Sequence, residues 1–139
     1  METSNPYLVD IELGVTVFRF DFPGSTEQFV EKANEWMNTT KEGKRYRAKD
    51  PEEGSILKIQ RGKGAMTAPI IFEFKVGSVG LSTEMFARGY IHVFALKKVK
   101  QDLRPDAKGA ALPRRNGWKD MLKLLDHAGV SEYEHKFKP

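Results

Sequence analysis

Gln60-Arg61-Gly62-Lys63-Gly64-Ala65-Met66 sets a lysine between two glycines, the chemistry of a loop that wraps a phosphate in backbone amides. Such a loop joins a strand to a helix, so that the glycine amides and the helix N-terminus converge on the anion. Here Thr67-Ala68-Pro69 and a second apolar alternation follow instead. The spacing fits neither the nucleotide-triphosphate loop nor the dinucleotide fingerprint. The glycines read as a bulge or strong twist near a strand's end.

Other reactive residue types are sparse. His92 lies between Tyr90 and Phe94 at two-residue spacing, so Tyr90, His92 and Phe94 share one strand face and form a candidate ligand or interface patch. His127 falls in the last turn of an expected helix, where the dipole favours a cation. His135 is near the C-terminus. No two histidines have metal-ligand spacing and the chain has no cysteine, so neither a metal nor a cofactor is expected. Asp50, Glu52 and Glu53 flank Pro51 and Gly54 as a turn would, without the periodic ligands of a calcium loop. No serine sits in a nucleophile elbow. No catalytic residue is assigned, and the balance leans away from an enzyme.

Charge is unevenly spread along the chain. Residues 1–40 carry two basic and seven acidic side chains, whereas residues 97–123 carry nine basic and three acidic. Arg104, Lys108, Arg114, Arg115, Lys119 and Lys123 are candidate anion-binding residues, able to follow phosphates with salt-sensitive affinity. No interleaved aromatic suggests base stacking there, because Trp118 belongs to an apolar helix stripe.

The elements that position these residues follow from periodicity. Val15 to Phe22 alternates strictly, with Phe18, Phe20 and Phe22 on one face. Pro23-Gly24 ends that strand, and Ser25 with Gln28 makes a capping box. Phe29, Val30, Ala33, Trp36 and Met37 then form a helical stripe ending near Asn38. Strands are expected over 44–49, a charged edge candidate, 54–66, 69–77 and 87–100, with 77–85 a connection. Asn116 reads as the N-cap of a last helix, which Gly129 and Val130 close in a Schellman arrangement. Around Tyr90 both faces of the strand are apolar, so the second face needs cover from the C-terminal segment, another protomer or an apolar ligand.

With 139 residues, 40% apolar and 30% charged, the chain fits one globular domain over 1–139, its core about 8–130 and its tail 131–139 loosely attached. No apolar run approaches roughly 18 residues. The first residues lack a basic region followed by an apolar core, so a cytoplasmic protein without a membrane partner is expected.

The order β-α-β-β-β-β-α predicts an α+β domain, a curved antiparallel sheet with two helices on one face. It resembles the TATA-box-binding-protein-like fold. Glu35-Trp36-Met37, the stretch 50–64 and the strand opening at 87–95 are more narrowly similar to an uncharacterised family of bacterial domains with that fold. The resemblance covers about residues 13–100 and implies architecture, without catalytic residues to carry over. The function expected is a non-enzymatic binding or protein-interaction module, self-association included. The alternatives are nucleic-acid or other polyanion binding through 97–123, and a small-molecule site or enzyme around Tyr90, His92 and Phe94.

Overall fold

The computed structural model describes residues 17–51, 54–62, 69–93, 99–102, 111–130 and 132–136. At 78, 91–93, 99–102, 111–115 and 134–136 it describes the backbone alone. Strand β1 (Val17–Phe22) leads to helix α1 (Thr26–Thr39) and a 3-10 turn, Gly43–Arg45. Strands β2 (Tyr46–Lys49), β3 (Leu57–Arg61), β4 (Ile70–Val79), β5 (Thr83–Val93) and β6 (Val99–Asp102) follow. Helix α2 (Ala111–His127) and strand β7 (Glu134–Lys136) complete the order. The domain is α+β, its strands paired antiparallel throughout.

The first helix starts where its capping box places it. The Gln28 amide donates to Ser25 Oγ at 3.2 Å, and the Ser25 amide donates to Gln28 Oε1 at 2.7 Å. Phe29, Ala33, Trp36 and Met37 face inward, while Glu27, Glu31 and Glu35 stay exposed. At the far end the Thr40 amide and hydroxyl both donate to the Trp36 carbonyl, at 3.2 and 2.7 Å.

The chain then passes very close to that carbonyl. A Cβ on Gly43 would lie 1.9 Å from Trp36 O, a backbone atom that cannot swing aside. Gly43→Ala is therefore expected to cost about 1–3 kcal/mol in urea unfolding, as forced overpacking does. Gly80→Ala is the control: its Cβ would meet nothing within 4 Å, and the cost should stay within about 0.5 kcal/mol.

The sheet path runs β2-β3-β4-β5-β1-β7, with β6 also paired to β5. One edge of β5 is shared: residues 83–88 pair with β1 and residues 90–93 with β6. Both helices lie on one face, over Phe18, Phe20, Phe22, Ile59, Phe72, Phe74 and Met85, and contribute Phe29, Trp36, Met121, Leu124 and Leu125 to the same core. On the opposite face Val17, Ile71, Phe86 and Tyr90 are also buried. The centre of the sheet is thus covered on both sides within a single chain.

Several boundaries differ from those expected. The strand expected over 54–66 is β3, Leu57–Arg61, with residues 63–66 outside the described ones. The connection at 77–85 shrinks to Gly80–Ser82, because β4 continues through a register shift between Val76 and Val79. A bulge inserts a residue without ending the strand, so its glycine and serine imitate a loop. The strand expected over 87–100 is two strands, β5 and β6, paired with His92 opposite Lys100. No glycine or proline marks that reversal, so the alternation runs unbroken along the sequence.

Helix α2 begins at Ala111, which makes Asn116 an internal residue instead of the N-cap. Pro113 is accommodated in the first helical turn, where an amide hydrogen would have no intrahelical partner. The C-terminus of α2 follows expectation. Gly129 has φ +84°, its amide donates to Asp126 O at 3.0 Å, and the Val130 amide donates to Leu125 O at 2.9 Å. Beyond it β7 pairs with β1, giving residues 134–136 a place in the sheet that their charged sequence did not signal.

Candidate functional site

Of the aromatic patch, Phe94 lies outside the described residues, and His92 is placed by its backbone on β5. Tyr90 is 2% exposed, and its hydroxyl donates to Glu73 Oε1 at 3.1 Å. The adjacent strands assemble the rest of this cluster. Glu73 on β4 stands in register with Arg88 on β5 and with Lys58 on β3. The Arg88 guanidinium bonds Glu73 Oε2 through Nε and Nη2, and it stacks 5.4 Å from the centre of the Tyr90 ring. Lys58 Nζ approaches Glu73 Oε1 at 3.8 Å. Glu73 itself is 0% exposed. Both of its oxygens are engaged by donors of the same sheet face, so the cluster works as a fastener across three strands.

A second polar tie joins α2 to the sheet. The Tyr46 hydroxyl and Arg61 Nη1 each donate to Asp120 Oδ2 at 2.8 Å. Burial, and then the Asp120 carboxylate beside it, push the Tyr46 phenol far above its ordinary range, so it remains a protonated donor. Trp36 and Phe72 pack against the Tyr46 ring, with centroids 5.2 and 5.1 Å away.

The basic candidates do not gather into one described surface. Arg104 and Lys108 lie outside the described residues. Arg114 and Arg115 sit in the opening turns of α2, not in a loop before it. Lys119 is exposed on α2. Lys123, one turn further on, donates to Glu42 Oε1 at 2.7 Å, and that hydrogen bond holds the Glu42 carboxyl below its usual value.

This contact points to a denser basic stretch. Lys41, Lys44, Arg45, Arg47 and Lys49 place five cations within nine residues, all exposed, against the single carboxylate of Glu42. The density is legible in the sequence, although the longer basic segment 97–123 outweighs it in total charge.

The stretch includes β2, the end of the sheet path, which among the described residues pairs only with β3. Beside it lies an open groove of about 510 Å³, lined by Asn34, Met37 and Asn38 of α1 and by Lys44, Tyr46, Arg47 and Ala48. Backbone geometry shows which groups β2 turns outward. The Tyr46 amide donates to Gly43 O and not across to Arg61. Antiparallel pairs alternate between bonded and non-bonded, so Arg47 and Lys49 bond to β3 while the backbone groups of Tyr46 and Ala48 face away. Arg47 Nη1 occupies the Tyr46 carbonyl at 2.9 Å, and the Lys44 carbonyl at the same distance. By the same alternation the N–H and C=O of Ala48 point away from β3, at the edge beside the groove.

Among the described residues no group of histidines and carboxylates could hold a metal ion, and no described helix is long and apolar enough to cross a membrane. No family model matches the chain, and no curated protein or solved structure matches it at a significant level.

Proposed function

We propose that this chain is a protein-binding module that takes an extended segment of a partner as an added strand on β2. The observation that carries this reading is the outward-facing amide and carbonyl of Ala48 beside the groove under the last turns of α1. In this mode of recognition main-chain hydrogen bonds supply affinity and a neighbouring pocket supplies selectivity. The groove has both parts: a strand edge for the backbone, and Met37 with the exposed Asn34 and Asn38 amides for side chains.

Two of the other readings draw less support. Tyr90 is closed to solvent and committed to Glu73, which weighs against a small-molecule site centred on it. Pairing of two copies through β2 would oppose like charges along both edges. The resemblance to the TATA-box-binding-protein-like fold remains our inference, supported by the β2-β3-β4-β5-β1 path with both helices on one face.

Amide spectra recorded with a neutral alternating peptide, (Thr-Val)₄, test the module. Shifts are expected at residues 46–50 and 34–38. Ala48→Pro should weaken binding by about fivefold, since it removes the outward donor worth ~1 kcal/mol. Proline is tolerated on the solvent side of an edge strand, so the fold should persist. Shifts confined to other parts of the sheet, or a peptide indifferent to Ala48→Pro, would sink the reading.

A further inference from the structure

We infer that the segment accepted by β2 is acidic, with carboxylates alternating with small apolar residues. This deepens the proposed strand addition and rests on it. Side chains of a strand alternate between faces, so β2 presents two different rows to a neighbour. Tyr46 and Ala48 belong to the helix side, where the groove is walled by Met37, Asn34 and Asn38. Arg47 and Lys49 set out from the other side, and the Arg47 guanidinium curls round the edge to the Lys44 and Tyr46 carbonyls at the rim of the groove.

A strand laid beside β2 therefore sets one residue row toward the groove and the other beside Arg47 and Lys49. The groove row calls for small apolar side chains opposite Ala48 and Met37, which line the groove together with the exposed amides of Asn34 and Asn38. The second row calls for carboxylates, because opposite charges directly across a ladder stabilise it and like charges oppose it. Lys44 and Arg45 extend the positive field at the entrance to β2, both exposed and neither ion-paired among the described residues. Glu42, the one carboxylate of the stretch, is already held by Lys123, so it does little to offset these cations.

The same charges explain selectivity. Cations along an edge strand repel another copy of that edge, a common guard against aggregation. They do not repel a strand of opposite sign. The edge is closed to itself and open to an acidic partner, which is discrimination by repulsion as well as by attraction.

The experiment compares three peptides of equal length, (Glu-Val)₄, (Thr-Val)₄ and (Lys-Val)₄, by amide shifts of β2 in the full chain. At low salt (Glu-Val)₄ should bind about tenfold tighter than (Thr-Val)₄, with (Lys-Val)₄ weakest, and the gap should close near 1 M salt, where screening acts within about 3 Å. Exchanging Lys44→Glu and Lys49→Glu together takes residues 41–49 from five cations and one carboxylate to three of each, so it should abolish the preference between the charged peptides. Both residues are exposed, so the variant should fold, as its unchanged core amides would verify.

Equal binding of the acidic and neutral peptides would overturn the acidic preference while leaving strand addition standing. Absence of any shift at Ala48 with all three would remove both. A mixed oligonucleotide that displaces (Glu-Val)₄ and moves the same amides equally would overturn the inference in favour of a general polyanion surface.

Discussion

Replacing Phe29 with alanine is expected to lower the unfolding free energy by about 3–5 kcal/mol, the cost of emptying a large aromatic site in a packed core. Phe29 is 0% exposed and sits where α1 crosses the sheet. Its ring lies 5.8 Å from Phe20, 5.4 Å from Phe22 and 5.1 Å from Phe74, so it binds the helix to two strands at once. Tilted and edge-on pairs of this kind contribute about 0.5–1.5 kcal/mol each beyond the area they bury. Phe29→Leu should fall between wild type and alanine, since it keeps most of the volume and loses the ring contacts. Chemical denaturation measures both. A domain of this size typically has about 5–15 kcal/mol in total, so the alanine variant stands near the threshold of folding. A loss below about 1 kcal/mol would mean that α1 does not rest on β1 and β4.

Arg88→Met is expected to cost a similar amount, about 3–5 kcal/mol, for a different reason. The mutation keeps the volume of the side chain but leaves the carboxylate of Glu73 buried without its guanidinium. The decisive comparison is the double variant Glu73→Met, Arg88→Met. Removing both charges removes the uncompensated one, so the double variant should be more stable than Arg88→Met alone. It should not recover fully, because Tyr90 and Lys58 lose the oxygen they approach. A double variant as unstable as the sum of the two single ones would show that the pair is not coupled, and the fastener role would fall.

Much of the fold was legible in the sequence, for reasons that are local. The capping box at Ser25 and Gln28, the stripe Phe29-Ala33-Trp36-Met37, and the Schellman closure at Gly129 each depend on residues within a few positions. The alternation at 17–22 and 70–76 needs no more than a period of two. The misreadings share one origin. A bulge at 77–78 and a reversal between β5 and β6 change which strand lies alongside which, while barely altering the local pattern of residue types. Asn116 misled because a cap residue's type does not fix where a helix begins: α2 starts five residues earlier, with Pro113 accommodated in its first turn.

The candidate groove was only half legible. Five cations within Lys41 to Lys49 were visible, as was the suitability of the stretch for an edge. Which backbone groups that edge leaves open depended on the Tyr46 amide turning back to Gly43, a detail of the 3-10 turn. Tyr90 was correctly identified as a residue needing cover, but its partner Glu73 lies 17 positions away, across the sheet.

The sequence by itself determined the class of the domain, the start of α1 and the end of α2, because caps and periodicity are settled by hydrogen bonds and burial over one or two turns. Tertiary structure alone decided which backbone groups the β2 edge leaves open. It also brought Asp120 to Tyr46 across 74 positions and Lys123 to Glu42 across 81. Those outcomes come from strand register and helix docking, where the apolar faces of the whole chain must be buried together, and no short stretch contains that information.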